Sequence, residues 1–164
     1  MVARIRARWP ATRIMLRAES GFAREDLMVW CEANDVDFVF GLAQNGRLIG
    51  EIKSELDQVA AKSARTGRPQ RRFKAFMWRT RKSWSRRRRV VTKAEWTKGE
   101  ANPRFIVTSL RGDQGPQLSP QECANYFTHF NMSGIRFSNE SRSSERLKYT
   151  QMPPLSPYTL LTSS

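Results

Sequence analysis

Histidine occurs once in this chain, at His129, and cysteine twice, at Cys31 and Cys123. Two distant cysteines exclude a disulfide framework, and with a single histidine they leave no zinc-ligand spacing, so a reduced, cytoplasmic protein is expected. Cys31 reads as a small packed hydrophobe. The longest apolar run, Val36 to Ala43, is far short of the roughly 20 residues that span a bilayer. The first residues, M-V-A-R-I-R-A-R-W-P, lack the apolar core of a signal peptide, so no membrane association is expected. No glycine-rich phosphate loop and no Ser/His/Asp arrangement is present, which leaves no small-molecule substrate in view. Acidic residues are also scarce beside basic ones.

What is abundant is positive charge. The 164 residues carry 29 Lys and Arg against 15 Asp and Glu, a formal net charge of +14 with a pI near 11.0. Such an excess calls for a polyanionic partner, either nucleic acid or an acidic membrane surface. Its placement is uneven: Lys62 to Arg104 contains 16 bases and only two acids, Glu95 and Glu100, so this one segment holds the whole imbalance. Its densest part is R-T-R-K-S-W-S-R-R-R-R, Arg79 to Arg89. Bases neutralise phosphates and release counterions, and an exposed indole stacks on an unpaired base. The candidate DNA-binding residues are therefore Arg71, Arg72, Lys74, Arg79, Arg81, Lys82, Trp84, Arg86, Arg87, Arg88 and Arg89. The competing reading is a solvated surface with Trp78 and Trp84 in the core.

A hydrophobic content of 39% is that of a globular chain, and the pattern that organises it runs from Arg13 to Leu27. Ile14-Met15-Leu16 is a short continuous apolar run of the kind a buried strand shows, and Ser20-Gly21 breaks it. Glu19 thus falls at the C-terminal end of a strand, the rim on which open α/β sheets place their chemistry. Ala23, Leu27, Trp30 and Cys31 recur at helical spacing, with Glu25 and Asp26 in the first turn near the positive end of the helix dipole. That helix closes near Asn34, and Val36, Phe38, Val39 and Phe40 form a second strand. Strand, helix, strand at this length implies two parallel neighbours. Asp35 and Asp37 flank the start of the second strand, on the wrong rim to join Glu19.

Met1 to Trp9 alternates Arg with Val, Ala and Ile, and Pro10 ends the run. Further on, Leu48, Ile52, Leu56, Val59 and Ser63 mark one face of a helix from Arg47 to about Ala64, which T-G-R-P (Thr66 to Pro69) stops. Three β-rich segments follow: Arg72 to Arg79, Arg88 to Trp96 and Arg104 to Leu110. The first two are expected to form an antiparallel hairpin or small sheet, and the third has the composition to rejoin the main sheet. After Leu110 the chain is rich in Ser, Pro, Asn and Thr, and M-P-P-L-S-P (Met152 to Pro157) forbids regular structure locally. Residues 111–164 are therefore expected to be a disordered tail, with 1–110 as the folded part.

Three motifs in order, R-A-E-S-G-F-A-R-E-D (Arg17 to Asp26), W-C-E-A-N-D-V-D-F-V-F-G-L-A (Trp30 to Ala43) and N-P-R-F-I-V-T-S-L (Asn102 to Leu110), resemble the middle of a DDE-type insertion-sequence transposase. The resemblance covers most of Trp9 to Leu110. It implies a partial ribonuclease-H-like α/β core, two parallel strands with helices, carrying a basic antiparallel β insertion at about 70–104. It also implies DNA as partner and three acids that hold Mg²⁺ or Mn²⁺ to cleave and rejoin DNA. Glu19 stands where the family has its second acid, usually Asp, and so is the candidate catalytic and metal-ligating residue. The first acid's strand would lie upstream of Met1, and no Y-x-x-R-x-x-x-E pattern follows Leu110. These departures imply a truncated, catalytically incomplete fragment that still binds DNA, and a change of reading frame would account for a likeness that stops near Asp113. The alternative is a non-catalytic nucleic-acid-binding module built on Arg71 to Arg89. In the fold the resemblance implies, the missing neighbour of Ile14 to Leu16 would leave a strand edge open to self-association.

Overall fold

A computed structural model of the chain describes residues 1–110. The elements, in order, are α1 (Val2–Arg8), β1 (Ile14–Ala18), a 3-10 turn (Ser20–Phe22), α2 (Glu25–Ala33), β2 (Val36–Leu42), α3 (Gly46–Glu51), α4 (Lys53–Thr66), β3 (Gln70–Trp78), β4 (Arg88–Thr97), β5 (Glu100–Ala101) and β6 (Arg104–Thr108). The expected tail, residues 111–164, lies outside the described residues.

One mixed sheet organises the described residues. Its strands lie in the order β1-β2-β6-β4-β3, with the short β5 paired to β4. β1 and β2 are parallel, Ile14 opposite Val36 through Ala18 opposite Phe40, as the strand-helix-strand pattern requires. β6 runs antiparallel to both β2 and β4, and β3 antiparallel to β4 over nine residue pairs from Gln70–Trp96 to Trp78–Arg88. The third β-rich segment therefore does rejoin the main sheet. By sitting between β2 and β4 it makes the basic hairpin a continuation of the sheet rather than a separate layer. This α/β arrangement of parallel strands and helices is compatible with a ribonuclease-H-like core.

Alternation along the strands divides the sheet into two unequal faces. Val36, Phe38 and Phe40 of β2, Val90 and Ala94 of β4, and Phe105 and Val107 of β6 point to one side, where residues of all four helices join them in the larger apolar cluster. Val39, Val91, Ile106 and Leu110 form a smaller cluster with Met15 and Phe73 on the other side. Phe38 and Phe40 are fully buried, with ring centroids 5.0 Å apart. Side-chain hydroxyls of β6 and the residue after it bond to β2. Thr108 Oγ1 donates to Phe38 O at 2.7 Å, and Ser109 Oγ both accepts from Phe38 N at 3.0 Å and donates to Asp37 at 3.0 Å.

Two helices differ from the sequence pattern. The expected helix from Arg47 to Ala64 is broken at Ile52, where the backbone turns through φ −117° and ψ 14°. The Leu48, Ile52, Leu56 and Val59 stripe nonetheless faces the core. Asn45 caps α3 by accepting from the N–H groups of Arg47 and Leu48, and Gly67, at φ 65°, supplies the left-handed residue that ends α4. In α2 the buried pair is Met28 and Cys31, whereas Trp30 is 44% exposed. Met28 and Cys31, three residues apart, set the inward face, and at about 100° per residue Trp30 lies about 100° from Cys31 and roughly 200° from Met28, off the core. Phe38→Ala is accordingly expected to cost about 3–5 kcal/mol. Trp30→Ala should remain within roughly 1 kcal/mol of the parent, as surface substitutions do. Urea denaturation of the two variants checks the ranking.

Candidate nucleic-acid interface

The densest basic stretch becomes the connection between β3 and β4, residues 79–87, and two tryptophans fix its path. Trp78 ends β3 almost fully buried, edge-on to Phe76 at 6.1 Å and covered by the Arg47 guanidinium at 4.5 Å. Trp84, only 5% exposed, inserts into the helix-side core. Core burial prevails over the expected stacking role, because an indole buried against β-sheet and helix side chains offers no face to a base.

Immediately beyond it, Arg88 is held between two carboxylates of α2. Its side chain is 3% exposed. Nε and Nη2 donate to Glu32 at 2.8 and 3.0 Å, and Nη1 and Nη2 donate to Glu25 at 2.7 and 3.2 Å. Ser85 Oγ also donates to Glu25, and Arg86 pairs with Glu32 at 2.6 Å. Glu25 and Glu32 are seven residues apart, two turns of one helix, so both carboxylates face the same guanidinium. Hydrogen bonding from Arg88 holds Glu25 down at about 2. Burial pushes Glu32 upward, but the donors of Arg88 and Arg86 outweigh it and its pKa is lowered. Burial raises the Cys31 thiol to about 11, which makes it unreactive.

The expected interface therefore separates into two groups. Arg88 and Trp84 are internal and leave the surface set. Arg86 is tied to Glu32, Arg89 donates to Leu110 O at 2.9 Å, and Lys74 bridges Glu51 O and Glu55 on the α3–α4 side at 2.7 and 3.2 Å. Arg71, Arg72, Arg79, Arg81, Lys82 and Arg87 are exposed, and none makes a side-chain hydrogen bond or ion pair among the described residues. The partners Glu25 and Glu32 escape a reading by charge run, since the one signal they leave is their seven-residue spacing.

Glu19 occupies the end of β1 that the sequence indicates. It is exposed, its backbone is extended, and its carbonyl accepts from Phe22 N at 3.0 Å as the 3-10 turn begins. Ala18 lies opposite Phe40 and Leu42 opposite Phe105, so this rim also receives the end of β2 and the start of β6. Asp37 sits towards the other rim, opposite Met15 and paired with Arg13 at 2.6 Å. Among the described residues no group of three or more His, Cys, Asp or Glu is placed to hold a metal ion.

Residues 1–128 match the family model for the transposase DDE domain, group 1. The chain belongs to this family. No curated protein and no solved structure matches it. The family match runs through Asp113 to residue 128, so family likeness does not stop where the change of composition suggests. DDE transposases typically use divalent metal ions, but one carboxylate does not fit a two-metal centre, which needs several fixed oxygen ligands. Among the described residues no helix is long and apolar enough to cross a membrane.

Two outcomes follow for the Arg88 cluster. Arg88→Met leaves two partly buried carboxylates without their counter-charge and should cost about 3–5 kcal/mol, while adding Glu25→Gln and Glu32→Gln should recover most of it, since replacing a whole buried ion cluster is often near neutral. Urea melts of the single and triple variants measure this. The second outcome concerns acid. Glu25 has its pKa lowered on folding, so its stabilisation is complete above its ordinary value of 4.5 and is lost as pH falls towards about 2. Thermal melting between pH 5 and pH 2 should show a smaller acid-induced drop in Glu25→Gln than in the parent chain.

Proposed function

We propose that the chain acts on DNA as part of the transposition apparatus, binding the phosphate backbone through the exposed bases of the β3–β4 connection. The observation that carries this reading is the family match over residues 1–128, and the exposure of Arg79, Arg81, Lys82 and Arg87, which make no ion pair among the described residues, supports it. Contacts of this kind position a duplex without reading its sequence. Glu19 takes the part of one metal-ligating acid of a DDE centre, supported by its position at the end of β1. Because the described residues form no group of three or more His, Cys, Asp or Glu able to hold a metal ion, we infer that they bind DNA without cutting it. Its site of action is the cytoplasm, where a reduced Cys31 and a DNA partner are both expected.

The test is the salt dependence of duplex binding. Replacing Arg79, Arg81, Lys82 and Arg87 with Ala should flatten the plot of log K against log salt by about two to four, at roughly 0.9 for each phosphate that the variant no longer neutralises. Purified chain incubated with plasmid and Mg²⁺ or Mn²⁺ should leave the DNA unnicked. An unchanged slope would move the binding surface elsewhere, and nicking abolished by Glu19→Ala would show that the centre is complete.

A further inference from the structure

The exposed bases that lack a protein partner are not confined to the β3–β4 connection. Arg68, Arg71 and Arg72 lie at the other end of β3, all exposed and all without a side-chain hydrogen bond or ion pair among the described residues. β3 ends the sheet on that side. The two groups, Arg68/Arg71/Arg72 and Arg79/Arg81/Arg87, therefore stand at opposite ends of one edge strand.

Charge on an edge strand also discourages strand-to-strand pairing, but that role calls for charge along the edge. The middle of β3 does not provide it. Phe73, Ala75, Phe76 and Met77 are uncharged, and Lys74, the single base among them, is turned onto α4 by Glu55 and Glu51 O. Three nearby acids are also engaged. Glu95, opposite Arg71, accepts from Lys93 and Asn102, while Glu25 and Glu32 are taken by Arg88, Ser85 and Arg86. Both ends thus present exposed arginines that make no ion pair among the described residues.

The separation of the ends has a counterpart in DNA. β3 has nine residues, which at about 3.3 Å each places its first and last Cα roughly 26 Å apart. Arg68 lies beyond the first end and Arg79 and Arg81 beyond the last, which lengthens that span by several ångströms, while Arg71 and Arg72 lie within the first three residues of β3. In a B-form duplex one strand returns to the same side after each helical turn, about 34–36 Å. We propose that a DNA duplex lies along the β3 edge, with Arg68, Arg71 and Arg72 on one phosphate row and Arg79, Arg81 and Arg87 on the row one helical turn away. This rests on the reading that the chain binds DNA and adds a second contact region, its spacing and a duplex partner. Arg88 enters indirectly, because its hold on α2 fixes where the second group begins.

Fluorescence anisotropy against salt, with two DNA lengths, tests the arrangement. A duplex of about 20 base pairs covers both rows, and a hairpin with a stem of about seven base pairs is shorter than one turn of roughly 10 base pairs. On the long duplex, Arg68→Ala/Arg71→Ala/Arg72→Ala and Arg79→Ala/Arg81→Ala/Arg87→Ala should each lower the salt slope by about two to three. On the short stem the parent slope should already be lower by a similar amount, and neither triple variant should lower it as far as on the long duplex. Coincident thermal melts of parent and variants establish that all are folded. If the parent binds and the Arg79 group lowers the slope while the Arg68 group leaves it unchanged, the bipartite surface is wrong and the proposed function stands. Equal losses from the Arg68 group on both DNA lengths would overturn the one-turn spacing, and a parent that binds neither DNA would sink both readings.

Discussion

The Arg88 guanidinium, buried between Glu25 and Glu32, is the interaction on which the arrangement of this protein's surface depends. It joins the first residue of β4 to α2, the helix that follows the Glu19 rim, across more than fifty residues of sequence. A buried ion cluster of this kind contributes little net stability compared with well-packed apolar groups, yet breaking it is expensive. Its effect is therefore to fix geometry. With Trp84 inserted beside it, the β3–β4 connection has one path over α2, and its remaining bases face solvent.

The same arrangement links the sheet to the charge. β6 lies between β2 and β4, so the basic hairpin is held by backbone hydrogen bonds to the strands that form the core. A hairpin that extends a buried sheet is a firmer platform than an isolated one, which is marginal in water. The acidic rim and the basic edge thus belong to one sheet. Glu19 follows β1 at one side of it, and β3, with its two groups of exposed arginines, ends the other.

Much of this was legible in the sequence. The apolar run of Ile14 to Leu16, the Glu25-Asp26 helix start and the Val36 to Phe40 run specify the parallel pair because strand and helix have different apolar periods. Thr66-Gly67-Arg68-Pro69 marks the end of α4 through backbone chemistry alone. The family resemblance rested on three motifs, and the family match covers a longer stretch than they do. What the sequence left open was which members of a charge run face water. Arg86, Arg87, Arg88 and Arg89 are identical in type and adjacent, but strand alternation sends Arg88 inward, where carboxylates fifty-six and sixty-three residues earlier receive it. Trp30 failed for a related reason: Leu27, Met28, Trp30 and Cys31 are all apolar, and periodicity does not say which of them the core takes, which is Met28 and Cys31.

The basic stretch is divided, with Arg88 inside the fold and Arg79, Arg81 and Arg87 exposed and open to phosphate. Arginine-specific modification with phenylglyoxal, followed by peptide mass spectrometry with and without a duplex, addresses it residue by residue. The account predicts that Arg79, Arg81 and Arg87 react in the free protein and are protected by DNA, whereas Arg88 is unreactive in both states. Rapid modification of Arg88 in the folded, DNA-free protein, or reactivity of the other three that DNA leaves unchanged, would contradict it.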